Sequence, residues 1–150
     1  MRRDLLRGMG LIDVIIGIGL MVVVFMALFT ALRVALELSQ LARAKAVATQ
    51  LASSQMEYLR SLPYASLGTI GGTPSGTIPS VATSTGSNGT YVIYTTISYV
   101  DDSADGTGPQ DSNHITEDYK AARIRVSYTV RSNNQSVLLV SNFIPTGIEQ

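Results

Sequence analysis

Residues Val14 to Leu32 read VIIGIGLMVVVFMALFTAL, nineteen residues without a charge, lying between Asp13 and Arg33. At ~1.5 Å of rise per residue a helix of this length covers ~28 Å, about the hydrocarbon thickness of a bilayer. A lone segment in lipid can satisfy its backbone only as a helix. Before it, Met1 to Gly8 carries Arg2, Arg3 and Arg7 against Asp4. Basic residues on that side favour leaving the N-terminus in the cytoplasm, so the bulk of the chain is expected outside. A cleaved secretory signal would be shorter and would end in a small-residue site. Here the apolar run passes without a break into an amphipathic pattern.

Working outward, the helical pattern is expected to continue to about Leu62, where Leu62-Pro63 makes a stop. Leu38, Leu41, Ala48 and Ala52 recur at spacings that suit one buried stripe. Between Ala42 and Ser54 small residues are dense, which lets a sheet or another helix approach closely. Leu67 to Thr90 is rich in glycine, serine, threonine and proline and reads as a loop crossing from helix to sheet. Its hydroxyls allow O-glycosylation, and Asn88-Gly89-Thr90 matches an N-glycosylation triplet, but a bare connector is the plainer reading. Tyr91 to Val100 is β-branched and aromatic. In Ala122 to Val130, Ile124, Val126, Tyr128 and Val130 alternate with polar residues, which predicts a half-buried strand. Ser136 to Ile144 makes a third strand, joined antiparallel through the polar turn Arg131 to Gln135. The expected class is α+β: one long N-terminal helix with a small antiparallel sheet packed on its outer half.

Composition bounds the chemistry. The chain has 150 residues, 15% of them charged, with a formal net charge of zero and no cysteine. One small domain plus an appendage suits that length. No basic field recruits nucleic acid, and no direct nucleic-acid binding is predicted. Disulfides, thiolate zinc sites and cysteine nucleophiles are excluded. His114 is the only histidine and sits in an expected loop with no identifiable nucleophile or metal partner. With no P-loop, dinucleotide fingerprint or zinc-binding helix motif, the chain does not read as an enzyme.

The stretch Arg7-Gly8-Met9-Gly10-Leu11-Ile12-Asp13-Val14 resembles the class III signal of type IV pilins and pseudopilins. Those proteins have a short basic leader ending in glycine, a hydrophobic residue or methionine, a variable residue, Leu-Ile, and an acid at the fifth position. The resemblance implies that a prepilin peptidase cuts after Gly8 and that Met9 becomes the N-methylated first residue. It implies further that Asp13 pairs with the amine of a neighbouring subunit; the family overwhelmingly uses glutamate there. Segments around Gln55 to Tyr64 and Asp118-Tyr119-Lys120 also resemble parts of minor pilins. The implied division is a leader over 1–8, an assembly and membrane half-helix over 9–32, an amphipathic half-helix over 33–62, a connector over 63–90 and a sheet over 91–150.

The implied function is structural: a minor pilin or pseudopilin that inserts in the inner or cytoplasmic membrane, with its C-terminal domain outside the cytoplasm. It would then join a pilus or pseudopilus serving secretion, adhesion, twitching motility or DNA uptake. The implied partners are the peptidase, other pilin or pseudopilin subunits, an inner-membrane assembly platform and the lipid bilayer. The alternative is a single-span membrane protein presenting a small extracytoplasmic binding domain on an intact N-terminus.

Physics supports the pairing independently, because a carboxylate near a helix N-terminus is favoured by the helix dipole and an opposite charge offsets its desolvation. Gly17 and Gly19 each lower helix propensity by about 1 kcal/mol against alanine; they either loosen the helix or permit close helix packing.

One further segment carries a motif. Asp101 to Asp118 holds six acids (Asp101, Asp102, Asp105, Asp111, Glu117 and Asp118) and no base. Asp101-x-Ser103-x-Asp105-Gly106 matches the opening of a calcium loop, and Thr107 would offer its carbonyl. The loop then departs from an EF-hand, because Ser112 stands where the twelfth-place glutamate belongs. Asp111, Glu117 or Asp118 would have to close a Ca2+ site by another path; the plain alternative is a solvated acidic turn.

Overall fold

Helix and sheet arise from two hydrophobic periods in one chain. The computed structural model describes residues 10–86, 89–104, 106, 112 and 117–145. Helix α1 spans Leu11–Ser61. The chain divides into two units, Met1–Gln40 and Leu41–Gln150. In the first unit α1 is the only regular element among the described residues. From Gly10 to Gln40 every residue is exposed.

The second unit contains the rest of α1, a single 3-10 turn at Tyr64–Ser66 and four strands: β1 Val81–Gly86, β2 Gly89–Val100, β3 Tyr119–Val130 and β4 Asn133–Phe143. They form one antiparallel sheet in the order β1-β2-β3-β4. The fold is α+β, as expected.

Period-two alternation puts Tyr91, Ile93, Thr95 and Ile97 of β2 on the same face as Ala122, Ile124, Val126 and Tyr128 of β3, all buried. Against them α1 presents Ala44, Ala48, Ala52, Met56 and Leu59, a ridge along successive turns. The alanines keep this face of the helix low, while Leu59, Ile78, Ile124 and Val126 are fully enclosed. Each such side chain contributes roughly 1.5–3 kcal/mol on burial.

Three expectations are corrected. The buried stripe does not include Leu38 and Leu41, which are 60% and 37% exposed; it starts at Ala44. The segment 63–90 is not a bare connector, because β1 lies within it and pairs Val81 with Tyr94 through to Gly86 with Gly89. Leu67 and Ile78 also enter the core, and Thr69 links to Pro74 and Gly76, and Gly68 to Ile78, by backbone hydrogen bonds. Gly68 and Gly76 lie back to back with no room for a Cβ at either.

The third correction concerns strand ends. β3 starts at Tyr119, three residues before the expected Ala122, and β4 starts at Asn133, three before Ser136. The turn between them is therefore only Arg131 and Ser132, both at positive φ (46° and 68°). Two-residue hairpin loops use that left-handed geometry because its twist matches the strands. Thr129 Oγ1 and Asn134 Oδ1, 2.9 Å apart, close the hairpin just inside the turn.

Candidate functional site

The first candidate site is the exposed apolar surface of α1. Its most apolar stretch has a mean hydropathy of 2.8, none of it is buried, and the helix is long and apolar enough to cross a membrane. Between Val14 and Leu32 the only polar side chain is Thr30, whose hydroxyl donates to the Met26 carbonyl at 2.8 Å. That bond to the preceding turn lets a threonine sit in an apolar run without an unmet donor. Gly17 and Gly19 face open space, with nothing within 4 Å of an added Cβ.

Asp13 occupies the first turn of α1, and its backbone N–H donates to the Gly10 carbonyl at 2.9 Å. Its carboxylate is thus placed where the helix dipole is positive. Gly8 and Met9 lie outside the described residues.

The acidic loop joins β2 to β3. At its base the Asp102 N–H donates to Asp118 Oδ2 at 2.7 Å, and the Ala104 N–H donates to Asp102 Oδ1 at 3.1 Å. The Asp118 N–H in turn donates to the Val100 carbonyl at 3.1 Å. Two of the acids therefore accept backbone donors at the mouth of the loop. Of the proposed calcium ligands, Asp101, Ser103 and Asp118 are described, while Asp105, Thr107 and Asp111 lie outside the described residues, as does His114. Among the described residues no three acidic, histidine or cysteine side chains gather closely enough to hold a metal ion.

Lys120 was not anticipated. Its side chain is 3% exposed, and its ammonium donates to the carbonyls of Tyr64 and Leu67, both at 2.9 Å. The same nitrogen lies 4.5 Å from the Tyr64 ring centre and 5.5 Å from that of Tyr99. Charge-assisted bonds of this kind contribute about 1.5–3 kcal/mol, and ring faces attract a desolvated cation. Burial holds the Lys120 ammonium below its ordinary value of 10.5, and Glu117 opposes that shift. Burial, then Tyr99, Glu117 and Asp118, raise Tyr64 above 10.0. An amine so enclosed is a tie between β3 and the segment after α1, with no access for a substrate. Extending the β3 alternation back from Ile124 through Ala122 places Lys120 on the inner face, and that signal stood in the sequence.

No family model, curated protein or solved structure matches this chain.

Proposed function

We propose that the chain is a structural subunit of a type IV pilus or type II secretion-type filament, a minor pilin or pseudopilin. The observation that carries the reading is the first unit of α1: an apolar surface exposed on every side, with a single carboxylate in its first turn. Exposed apolar area on that scale needs cover. A bilayer supplies it first, and the helices of neighbouring subunits supply it after assembly. Cleavage after Gly8 leaves the Met9 amine four residues from Asp13, and the amine of one subunit then pairs with the carboxylate of the next. Such a pair fixes register between apolar helices that would otherwise slide. In this reading the partners are a prepilin peptidase, other pilin or pseudopilin subunits, an inner-membrane assembly platform and the lipid bilayer. The second unit faces away from the cytoplasm.

The test is the mass and sequence of the mature N-terminus in cells with and without a prepilin peptidase. The expected product begins at N-methylated Met9 only when the peptidase is present, and Gly8→Leu keeps residues 1–8. Asp13→Ala is expected to be inserted and cleaved but to enter filaments poorly, with Asp13→Glu functional. Wild-type protein that keeps its leader beside an active peptidase overturns the proposal and leaves a plain single-span anchor.

A further inference from the structure

The sheet keeps its charges in an unusual place. An edge strand presents a row of unpaired N–H and C=O groups, and proteins ordinarily guard it with charged side chains, proline or a covering segment. Here the charges sit on an interior strand, β3, as Lys120, Arg123 and Arg125, while the edge strands β1 and β4 carry none. Neither edge strand contains proline. The chain is in fact uncharged throughout Ser61 to Val100, and again from Ser132 to Ile148. Among the described residues the outer side of each edge strand makes no backbone hydrogen bond.

The two edges suit each other. Register puts Val81, Tyr94, Arg125 and Leu138 in one row across the sheet, on the face turned away from α1. That row ends at both edges in an exposed aliphatic side chain, Val81 at 51% and Leu138 at 55%. Because the four strands alternate in direction, β1 and β4 run opposite ways. A second copy held in the same orientation therefore brings its β1 antiparallel to β4, and the alternation continues. Antiparallel pairing of β4 with another β4, or of β1 with another β1, needs one copy turned end for end about an axis normal to the sheet. Copies inserted in one membrane share an orientation, which excludes that arrangement. The inference rests on the membrane insertion proposed above and on no other part of that reading.

We propose that β4 of one copy pairs with β1 of a second copy, with Leu138 opposite Val81, Ser136 opposite Thr83 and Asn134 opposite Thr85. In this register aliphatic meets aliphatic, hydroxyl meets hydroxyl, and no charge is buried. The two strands differ, so the contact is heterologous and runs head to tail. β1 limits the ladder to six residues, which bury far less than the ~1,200 Å² of a standing interface. The contact is therefore weak alone and adds to whatever else holds the copies side by side.

The absence of cysteine makes a direct test possible. Full-length chains carrying Val81→Cys and Leu138→Cys are expressed together with different tags, and the isolated membranes are oxidised. Opposed residues of paired strands stand ~4.5–5.5 Å apart between Cα atoms, within reach of a disulfide. The expected product is a mixed disulfide dimer, at several times the yield of Val81→Cys with Thr96→Cys, an exposed site on the interior strand β2. Thr83 and Ser136 are also exposed. Adding Thr83→Lys to the first chain and Ser136→Lys to the second sets like charges opposite each other and is expected to cut the yield about threefold. Thr83→Lys against Ser136→Glu, and Thr83→Glu against Ser136→Lys, are expected to restore it, which also shows that each lysine variant folds. A mixed yield no higher than the Thr96→Cys control, a Leu138→Cys homodimer in its place, or a yield indifferent to charge overturns the proposal. A mature N-terminus at Met9 without the mixed dimer counts against the strand pairing alone. A mixed dimer between chains that keep residues 1–8 counts against the filament reading alone.

Discussion

Residues 14–32 and residues 44–59 belong to one helix, and their burial is opposite to their size. The first stretch is built from valine, isoleucine, leucine, methionine and phenylalanine, and all of them are exposed. The second places three alanines, Met56 and Leu59 at 3% exposure or less. Hydrophobicity sets how much a side chain gains from cover; it does not decide where the cover comes from. Ala48 is buried because β2 and β3 bring Tyr91, Ile124 and Tyr128 to the common core. Among the described residues of the first unit nothing offers Phe25 or Leu28 such a surface. Small residues mark the half of α1 that is covered by its own chain.

Removing residues 1–32 is the largest way to break that contrast. The shortened chain is expected to stay in solution without detergent and to unfold cooperatively, because its core residues all lie between Ala44 and Phe143. Aggregation, or loss of the circular dichroism signal of the sheet, would mean that the buried half depends on the exposed one. A finer test exchanges sizes within α1. Ala48→Leu overfills a site with no exposed surface and is expected to cost about 1–3 kcal/mol, lowering the melting temperature by several degrees. Leu20→Ala, at a site 63% exposed, is expected to leave the melting of the sheet unchanged. Equal effects would erase the distinction.

On the facing side of the core, the Tyr91 hydroxyl is buried with no hydrogen-bond partner among the described residues, beside Tyr128 at 5.7 Å between ring centres. Tyr91→Phe removes an unmet polar group and is expected to stabilise by about 1 kcal/mol in thermal melts. A loss of stability instead would reveal a partner for that hydroxyl.

The smallest expected effect is alkaline. Lys120 is held below 10.5 by burial, so between its folded value and 10.5 the unfolded chain binds more protons and stability rises with pH. Burial foremost raises Tyr64 and Tyr128 above 10.0, so past pH 10.0 the folded chain holds more protons and stability falls. Melts across that range should show a rise and then a fall. Lys120→Met is expected to remove the rise, and Tyr64→Phe to weaken the fall. A Lys120→Met profile identical to wild type would show that the amine is solvated.

The elements legible in the sequence were those with a strong period or a firm stop. Leu62-Pro63 marked the helix end to within one residue of Ser61, and the alternation around Ile124 marked β3 and its inner face. β1 was hidden because it is an edge strand of small and hydroxyl residues in which only Ser84 is even half-buried, so no hydrophobic pattern records it. Leu67 and Ile78 were single apolar residues in a glycine- and serine-rich background. Lys120 falls on the inner face by the same alternation, but a charge at a strand end reads as a solvated boundary. Leu38 and Leu41 misphase the expected stripe, because the sheet selects the alanines four residues apart. For the candidate sites, spacing from Gly8 put Asp13 in the opening turn. The calcium motif rested on residue order alone, and backbone donors occupy part of what it counted as free oxygens.

The Lys120 tie also sets a route for force. The amine grips carbonyls three and six residues beyond the end of α1 and belongs to β3, an interior strand hydrogen-bonded on both edges. Tension that reaches Ser61 along α1 therefore has a path through two short bonds into the middle of the sheet, beside the longer path through the hydrogen-bonded segment between Leu67 and Ser80. The lysine's grip is then a second joint between helix and sheet, added to the packing of Ala44 to Leu59 on the common core.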